Sequence, residues 1–175
     1  LEFRRVLFRS QEHDHFRLIG QDNHRRYLPV APMHIRMSVN DDCFSVLARC
    51  AASISVGGSA IVSYDSGVDH SRVDLIEKST LCWAGRIEFI EQSDQELCDS
   101  IEQGEVQRLR FDGSESVPES VRRVAPKHFV FIAEQPVLSE DFELFWYVIE
   151  QSISFDYHRY GNLGPRAEEP RTAVH

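Results

Sequence analysis

The stretch HIRMSVNDDCFSVLARCAASISVGGSAIVSY (residues 34–64) decides the fold. Residues 34–39 predict a short strand, and the apolar spacing of residues 40–56 predicts a helix after it. Gly57-Gly58 closes that helix in the manner of a left-handed C-cap, and residues 59–64 predict the next strand. This stretch therefore reads as one strand-helix-strand unit with two parallel strands.

The same alternation of periods continues through most of the chain. Further strands are predicted at residues 86–90, 107–111 and 128–133, with helices at 71–83, 94–103 and 116–124. Strands that alternate with helices favour right-handed crossovers and a sheet covered on both faces. The predicted fold class is α/β: a Rossmann-like, doubly wound, mostly parallel sheet of about five strands, followed by a C-terminal helix and a docking strand.

The turn after the first strand tests whether this fold binds a dinucleotide. A phosphate cradle needs glycines that let backbone N–H groups approach the pyrophosphate at a helix N-terminus. The turn here reads Val39-Asn40-Asp41-Asp42, in which Asn40 or Asp41 is expected to cap the helix and the carboxylates repel phosphate. We expect this chain to bind no cofactor of its own.

The C-terminal part carries a second kind of pattern. A helix is predicted from Ser139, with apolar residues spaced along one face, and a half-buried strand follows in which apolar and polar residues alternate. Aromatic side chains and two glycines close to the end of a chain favour docking. The predicted interdomain docking residues are Gln151, Ser152, Ser154, Tyr157, His158, Arg159, Tyr160, Gly161, Asn162 and Gly164.

Two motifs near the ends of the chain carry a family resemblance. Residues 149–154 (IEQSIS), with the aromatic and glycine-rich finish that follows, resemble the C-terminal motif of the proline utilization A (PutA) family. Residues 19–29 (IGQDNHRRYLP) resemble the entry into the same domain of that family. The resemblance covers residues 16–166. One departure is residues 157–164, where the family has a run of small residues.

The resemblance implies a parent enzyme with two activities. One is an FAD-dependent proline dehydrogenase, and the other is an NAD-dependent L-glutamate-γ-semialdehyde dehydrogenase. The C-terminal domain of the longer family members resembles the cofactor-binding half of an aldehyde dehydrogenase without being catalytic. By this resemblance the chain is a structural lid or brace on catalytic domains of the same polypeptide, with a second subunit as a further possible partner and a parent that associates peripherally with membrane quinone.

The chain is expected to divide into four parts. Residues 1–10 resemble a translated sequencing adapter, and residues 11–33 are expected to be a linker from a missing upstream catalytic domain. Residues 34–165 are expected to form the Rossmann-like domain, including the terminal motif 151–164, and residues 166–175 a disordered tail. If the first part is an artefact, the reading frame is truncated at its 5′ end.

Charge excludes some classes of partner. The chain has a net charge of −9, and leaving out the three Arg and one Glu of residues 1–10 makes it −11. Such an acidic excess argues against nucleic acid, because phosphate contacts need clustered Lys and Arg. His24-Arg25-Arg26 is taken as the one native basic cluster. The sequence contains no run of eighteen apolar residues, so no membrane span is predicted.

The cysteines favour structural thiols and a reducing, cytoplasmic location. Cys43, Cys50, Cys82 and Cys98 form no Cys-x-x-Cys pair. Arg49-Cys50 superficially resembles the nucleophile loop of semialdehyde dehydrogenases, but Cys50 falls on the apolar stripe of a predicted helix, where a thiolate is disfavoured. We therefore predict no catalytic residue and no metal ligand in this chain.

Two alternatives remain open from the sequence. The first is a free-standing, receiver-like interaction module whose acidic turn, Asn40-Asp41-Asp42, binds a cation with help from Glu134 after the fifth strand. The second is a small dehydrogenase with an aberrant phosphate loop.

Overall fold

The computed structural model describes residues 14, 17–83, 85–137, 141–158 and 161–169. The chain divides into two compact units: Leu1–Leu28 with Ile149–His175, and Pro29–Val148. The expected adapter segment, residues 1–10, lies outside the described residues. The strands and helices, in chain order, are β1 Gln21–Pro29, β2 Met33–Met37, α1 Cys43–Ser55, β3 Ala60–Tyr64, α2 His70–Thr80, β4 Ile87–Glu91, α3 Asp94–Glu102, β5 Arg108–Arg110, α4 Glu119–Val124, β6 Phe131–Ala133 and β7 Val148–Asp156.

The larger unit, Pro29–Val148, contains a five-stranded sheet in the order β4-β3-β2-β5-β6. Every neighbouring pair of strands is parallel, with Ile35 opposite Val62, Val62 opposite Phe89, and Leu109 opposite Ile132. The order runs outward from β2 in both directions, so the connection reverses between β2 and β5. This confirms the predicted Rossmann-like α/β fold, including its five parallel strands.

The central strand β2 is buried along its whole length, as a strand covered on both faces must be. Its Met33, Ile35 and Met37 side chains are apolar and almost completely inaccessible. A second cluster of buried apolar side chains lies among α3, α4 and β5, and it comprises Leu97, Cys98, Ile101, Val106, Leu109, Phe111, Val117, Val121, Ala125 and Val130. Burial of these side chains is the main stabilisation of the unit.

Helix starts lie within three residues of where the sequence placed them. The cap of α1 is Asp42, whose carboxylate accepts a hydrogen bond from the Ser45 backbone N–H at 2.6 Å. The predicted caps were Asn40 or Asp41. Asp41 is instead drawn into an ion pair with Arg49, which lies two turns along the helix. Gly57, at φ +90°, ends α1 as predicted.

Three buried arginines are each paired with a carboxylate. Arg49 of α1 pairs with Asp41, Arg36 of β2 pairs with Asp94 at 2.7 Å, and Arg110 of β5 pairs with Glu143 at 2.8 Å. Arginine at these positions brings a charge into the core, which is tolerated only where the charge is paired. The Arg36 and Arg110 pairs therefore fix α3 and the segment around Glu143 to the sheet, and the Arg49 pair fixes α1 to the turn after β2.

The smaller unit contains a two-stranded sheet of β1 and β7, here called the ribbon. Its cross-strand contacts run in opposite order along the two strands: Gly20 with Tyr157, Asn23 with Ser154, and Arg26 with Gln151. The strands are therefore antiparallel.

The sequence expectation for residues 11–33 needs correction. The predicted linker contains β1, and β2 begins at Met33. The residues of β1 are mostly polar, and the strand is held by β7, more than a hundred residues away. Local sequence signals therefore do not reveal it.

The C-terminal elements also differ from the prediction. Instead of an α-helix from Ser139, the structure has a 3-10 helix at Asp141–Tyr147, and β7 begins at Val148. Ser139 itself lies outside the described residues. The β-branched pair Val148-Ile149 favours strand over helix. The expected disordered tail is corrected for residues 166–169, since Arg166 is bonded to Asp22 and Glu169; residues 170–175 are outside the described range.

Candidate docking surface

One face of the ribbon is polar and internally paired. The Ser154 hydroxyl donates to the Asn23 side-chain oxygen at 2.8 Å, and the Gln21 amide donates to Asp156 at 2.8 Å. Further along the same face, Arg25 forms an ion pair with Glu150 at 3.2 Å. Cross-strand pairs of this kind stabilise a two-stranded sheet and fix its register.

The other face of the ribbon carries its apolar side chains, together with the hydrogen-bonded pair of Arg26 and Gln151. Alternate residues of a strand share a face, so Ile149, Ile153 and Phe155 of β7 lie on the side opposite the polar pairs. Leu28 of β1 belongs to the same side, and the His24 ring contacts the edge of the Phe155 ring at a centroid distance of 6.0 Å. We call Leu28, Ile149, Ile153 and Phe155 the ribbon's apolar face.

This face is largely uncovered. Phe155 is 57% exposed and Ile149 is 44% exposed, although both are large apolar side chains in a regular strand. A two-stranded sheet alone is marginally stable in water. An amphipathic ribbon with an exposed apolar face therefore has the character of a surface that another protein element covers.

The end of the ribbon is held by a cluster around Tyr157. Its backbone N–H donates to the Gly20 carbonyl at 3.0 Å, and its hydroxyl accepts from the Gly20 N–H at 3.1 Å. The Arg166 guanidinium lies 4.0 Å from the centre of the Tyr157 ring and pairs with Asp22 at 2.8 Å. Gly20 has φ +89°, and a Cβ there would lie 2.9 Å from the His158 ring, so glycine is required.

The predicted docking residues are distributed over this ribbon and its end. Gln151, Ser154, Tyr157 and His158 contact the β1 region of the same chain. Four others are exposed: Ser152, Gly161, Asn162 and Gly164. The Gly164 backbone N–H donates to the Asn162 side-chain oxygen at 2.8 Å. Arg159 and Tyr160 lie outside the described residues. Docking onto a partner stays a prediction for the whole set, since β1 takes up one edge of β7.

Sequence reasoning missed the β1 side of this surface. Leu28 and His24 were assigned to a linker, although both lie on the apolar face of the ribbon or contact it. The β1 sequence, QDNHRRYLP, is mostly polar and shows no alternation of polar and apolar residues that would mark it as a strand.

At the carboxyl edge of the large sheet, carboxylates occupy the place where a doubly wound fold binds its ligand. This place lies between β2 and β5, where the strand order reverses. The Asp42 carboxylate caps α1, and the Ser45 hydroxyl donates to Asp112. The helix N-terminus is thus engaged by negative charge, and the residues present do not fit a dinucleotide pyrophosphate.

The acidic turn also lacks the features of a cation site. Asp41 is buried against Arg49, and burial raises the pKa of its carboxyl group despite that pairing. Glu134, the residue expected to close the site, pairs with Arg122 at 2.6 Å. In the described part of the chain, no group of three or more His, Cys, Asp or Glu side chains is arranged to hold a metal.

Cys50 lies in the core of the larger unit. The side chain is fully buried, and burial raises the pKa of its thiol to about 12 even though Arg49 is adjacent. A thiol in this state is a poor nucleophile.

Among the described helices, none is long and apolar enough to cross a membrane.

Comparisons with known proteins identify the fold. No family model matches the sequence, and no curated protein matches it. The fold is that of part of an aldehyde dehydrogenase: solved structures of three such enzymes match with TM-scores between 0.52 and 0.56.

The matched structures come from several enzymes. A variant of betaine aldehyde dehydrogenase from Staphylococcus aureus, in complex with NAD+, has a TM-score of 0.56 and 15% identity over 67% of this chain and 25% of its own. A lactaldehyde dehydrogenase has a TM-score of 0.54 and 12% identity over 65% of this chain and 24% of its own. A salicylaldehyde dehydrogenase from Pseudomonas putida G7 has a TM-score of 0.52 and 16% identity over 65% of this chain and 25% of its own. The chain thus spans about a quarter of the length of these enzymes.

Proposed function

We propose that this chain is the C-terminal, non-catalytic domain of an NAD-dependent L-glutamate-γ-semialdehyde dehydrogenase of bifunctional proline catabolism. It acts as a structural lid or brace on the catalytic domains of the same polypeptide. In this proposal the parent enzyme is cytoplasmic and uses NAD and FAD, while the present chain holds neither cofactor.

The observation that carries the proposal is the amphipathic ribbon. Its apolar side chains Ile149 and Phe155 are exposed, and its polar face is satisfied by pairs within the chain, so covering these apolar side chains breaks none of the polar pairs on the opposite face. The likeness of the fold to part of an aldehyde dehydrogenase and the family motifs at residues 19–29 and 149–154 support a parent of that class.

The carboxyl edge of the sheet supports a non-catalytic role. An aldehyde dehydrogenase needs a nucleophilic thiolate and a bound nicotinamide cofactor. Cys50 is a buried thiol, and the edge between β2 and β5 carries carboxylates that have their own partners. The brace interpretation needs neither catalytic group.

Covering the apolar face gives a useful amount of binding free energy. Burying one large apolar side chain completely contributes about 1.5–3 kcal/mol. Phe155 and Ile149 are each about half exposed, so covering both contributes roughly 2 kcal/mol before the cost of ordering. In a domain already tethered to its partner, this is enough to hold the closed arrangement, because tethering removes most of the cost of association.

The experiment begins with the coding sequence upstream of the codon for Gln11. If it encodes a dehydrogenase with its own nucleophilic cysteine, the complete protein is expressed with Ile149→Ser and Phe155→Ser together. We expect aldehyde-dependent NADH formation to fall about tenfold, corresponding to about 1.4 kcal/mol, while proline-dependent flavin reduction is retained. The matched control is Leu75→Ser together with Leu81→Ser, two exposed apolar residues outside the ribbon.

Two results would contradict the proposal. One is equal retention of both activities in the double variant. The other is an upstream region that contains a start codon and a promoter in place of a dehydrogenase, which would favour a free-standing interaction module.

A further inference from the structure

A second exposed surface lies far along the chain from the ribbon, after helix α4. The helix ends at Val124, a 3-10 helix follows at Ala125–His128, and Phe129 takes a left-handed conformation with φ 57°. Its side chain is 95% exposed. The turn itself is well formed, because the Val130 N–H donates to the Ala125 carbonyl at 2.9 Å.

Phenylalanine is an unfavourable choice at this position for stability alone. The left-handed conformation after a helix is usually taken by Gly or Asn, because a Cβ is penalised there. A large apolar side chain that is almost fully exposed gives no compensating burial. Phe129 therefore carries two costs at one residue, an observation that points to a contact made outside the chain.

Basic residues precede this phenylalanine in the chain. Arg123, Lys127 and His128 are all exposed, and within the described residues no carboxylate pairs with them. Arg122, by contrast, is paired with Glu134. Residues 122–128 are therefore a second basic cluster, which corrects the expectation that His24-Arg25-Arg26 is the one native cluster. It is prominent in a chain with a net charge of −9.

Within the described residues, no further strand pairs with the outer edge of the adjacent strand, β6. β6 is the outermost strand of the five-stranded sheet on this side, and it pairs with β5 on its inner edge. Phe131 is 49% exposed, stacks on Trp146 with a centroid distance of 5.7 Å, and lies under the Arg108 guanidinium at 5.5 Å. We call Arg123, Lys127, His128, Phe129 and Phe131 the basic corner.

We propose that the basic corner docks an extended acidic peptide segment of another protein chain. The segment runs along β6 and adds to the sheet through main-chain hydrogen bonds. Its carboxylates meet Arg123 and Lys127, and an apolar side chain of the segment packs on Phe129 and Phe131. The chemistry therefore requires alternating acidic and apolar residues.

The same basic and aromatic composition occurs in surfaces that bind nucleic acids or anionic membranes, but other features favour a peptide. A long polyanion is repelled by a chain with net charge −9, whereas a short acidic segment meets only the local charge. A strand edge offers N–H and C=O groups in the spacing of another strand, which neither a lipid headgroup nor a phosphate backbone matches.

The test measures fluorescence anisotropy of a fluorescein-labelled twelve-residue peptide of alternating Glu and Val, with the 175-residue chain. We expect saturable binding that weakens as salt is raised. Phe129→Gly, and Arg123→Glu combined with Lys127→Glu, each reduce affinity at least about tenfold. Two exposed residues outside the corner supply matched controls, Phe44→Ala and Lys78→Glu, which leave affinity unchanged.

Phe129→Gly separates binding from folding. Glycine is favoured in the left-handed conformation, so this variant folds and its urea midpoint is equal to or above that of the parent chain. Three results would overturn the proposal: absence of saturable peptide binding, unchanged affinity in Phe129→Gly, or tighter binding through the same residues of phosphatidylserine vesicles or a single-stranded oligonucleotide.

Discussion

The pair of Arg110 and Glu143 gives a sharp test of what holds the larger unit together. The Arg110 side chain is 0% exposed, and its Nε and a terminal nitrogen donate to the two oxygens of Glu143 at 2.9 and 2.8 Å. The Tyr147 hydroxyl donates to the same carboxylate at 2.8 Å. Burial raises the pKa of Tyr147 well above its ordinary value, so this hydroxyl keeps its proton.

Replacing Glu143 with Leu leaves the Arg110 charge buried without its carboxylate. Removing one partner of a buried ion pair costs about 3–5 kcal/mol. Arg110 keeps carbonyl acceptors, including Gln135 at 2.6 Å, which places the expected loss near the lower end, at about 3 kcal/mol. Glu143→Gln keeps an acceptor oxygen and should cost less.

The combination of Glu143→Leu with Arg110→Met separates the charge from the packing. It removes the unpaired cation, but it leaves the Tyr147 hydroxyl and the carbonyls of Phe111 and Gln135 without their partners. At about 1 kcal/mol for each of the two newly unpaired carbonyls, about 2 of the roughly 3 kcal/mol gained by removing the cation are offset, so we expect the double variant to be about 1 kcal/mol more stable than Glu143→Leu.

Urea unfolding, followed by circular dichroism and tryptophan fluorescence, measures these differences. With an unfolding slope of roughly 1.5 kcal/mol per M, the Glu143→Leu loss shifts the midpoint by about 2 M. The exposed Glu77→Leu is the control, with a change within about 0.5 kcal/mol. A loss below about 1 kcal/mol in Glu143→Leu, or a double variant no more stable than the single one, would refute the reasoning.

Two further predictions concern groups buried in the larger unit. Burial lowers the pKa of His34 below its ordinary value of 6.5, against a smaller opposing effect of Glu105. As the pH falls, His34 therefore binds a proton in the unfolded chain before it does so in the folded chain. Stability that is fully present above about pH 6.5 is lost at lower pH, by up to about 1.4 kcal/mol per pH unit. Urea midpoints at pH 7.5 and 5.5 should show this, and His34→Gln should remove that component; an identical pH dependence in the variant would exclude His34 as its source. Cys82 is exposed whereas the buried Cys50 has a thiol pKa of about 12, so iodoacetamide labelling followed by mass spectrometry should modify Cys82 in the folded chain and Cys50 only in urea. Equal labelling rates for the two would show that the core of α1 is open.

The sheet could be predicted because each of its repeats carries local signals. β3 is an apolar run bounded by polar residues, and α1 ends where Gly57 supplies a positive φ. Gly104, at φ 77°, does the same after α3. These features depend on neighbouring residues, which is why the order of elements was predicted correctly and the boundaries differ by only a few residues.

The candidate docking surface was predicted only on its C-terminal side, for an equally physical reason. β1 and β7 are stable because each pairs with the other, and their contacts join residues such as Asn23 and Ser154 across the length of the chain. No periodicity within β1 records that pairing. The helix predicted from Ser139 differs for the same reason, because Glu143 is held by Arg110, which is 33 positions away in sequence.

The two exposed surfaces differ in the force that would hold a partner, and this makes them separable in one experiment. Charged residues of the ribbon are paired within the chain, as Arg25 is with Glu150 and Asp22 is with Arg166; docking on the apolar face depends on apolar burial, which added salt does not weaken. In the basic corner, Arg123 and Lys127 are exposed and pair with no carboxylate of the described residues, so docking there weakens as salt screens the charges over about 10 Å at 0.1 M and less at higher concentration. A partner lost at high salt therefore uses the corner, and one retained at high salt uses the ribbon. The two surfaces lie in different units of the chain. For a protein that binds both surfaces, the double variant Arg123→Glu with Lys127→Glu should remove the salt dependence of its binding affinity. The remaining affinity would then come from the ribbon's apolar face, including Phe155.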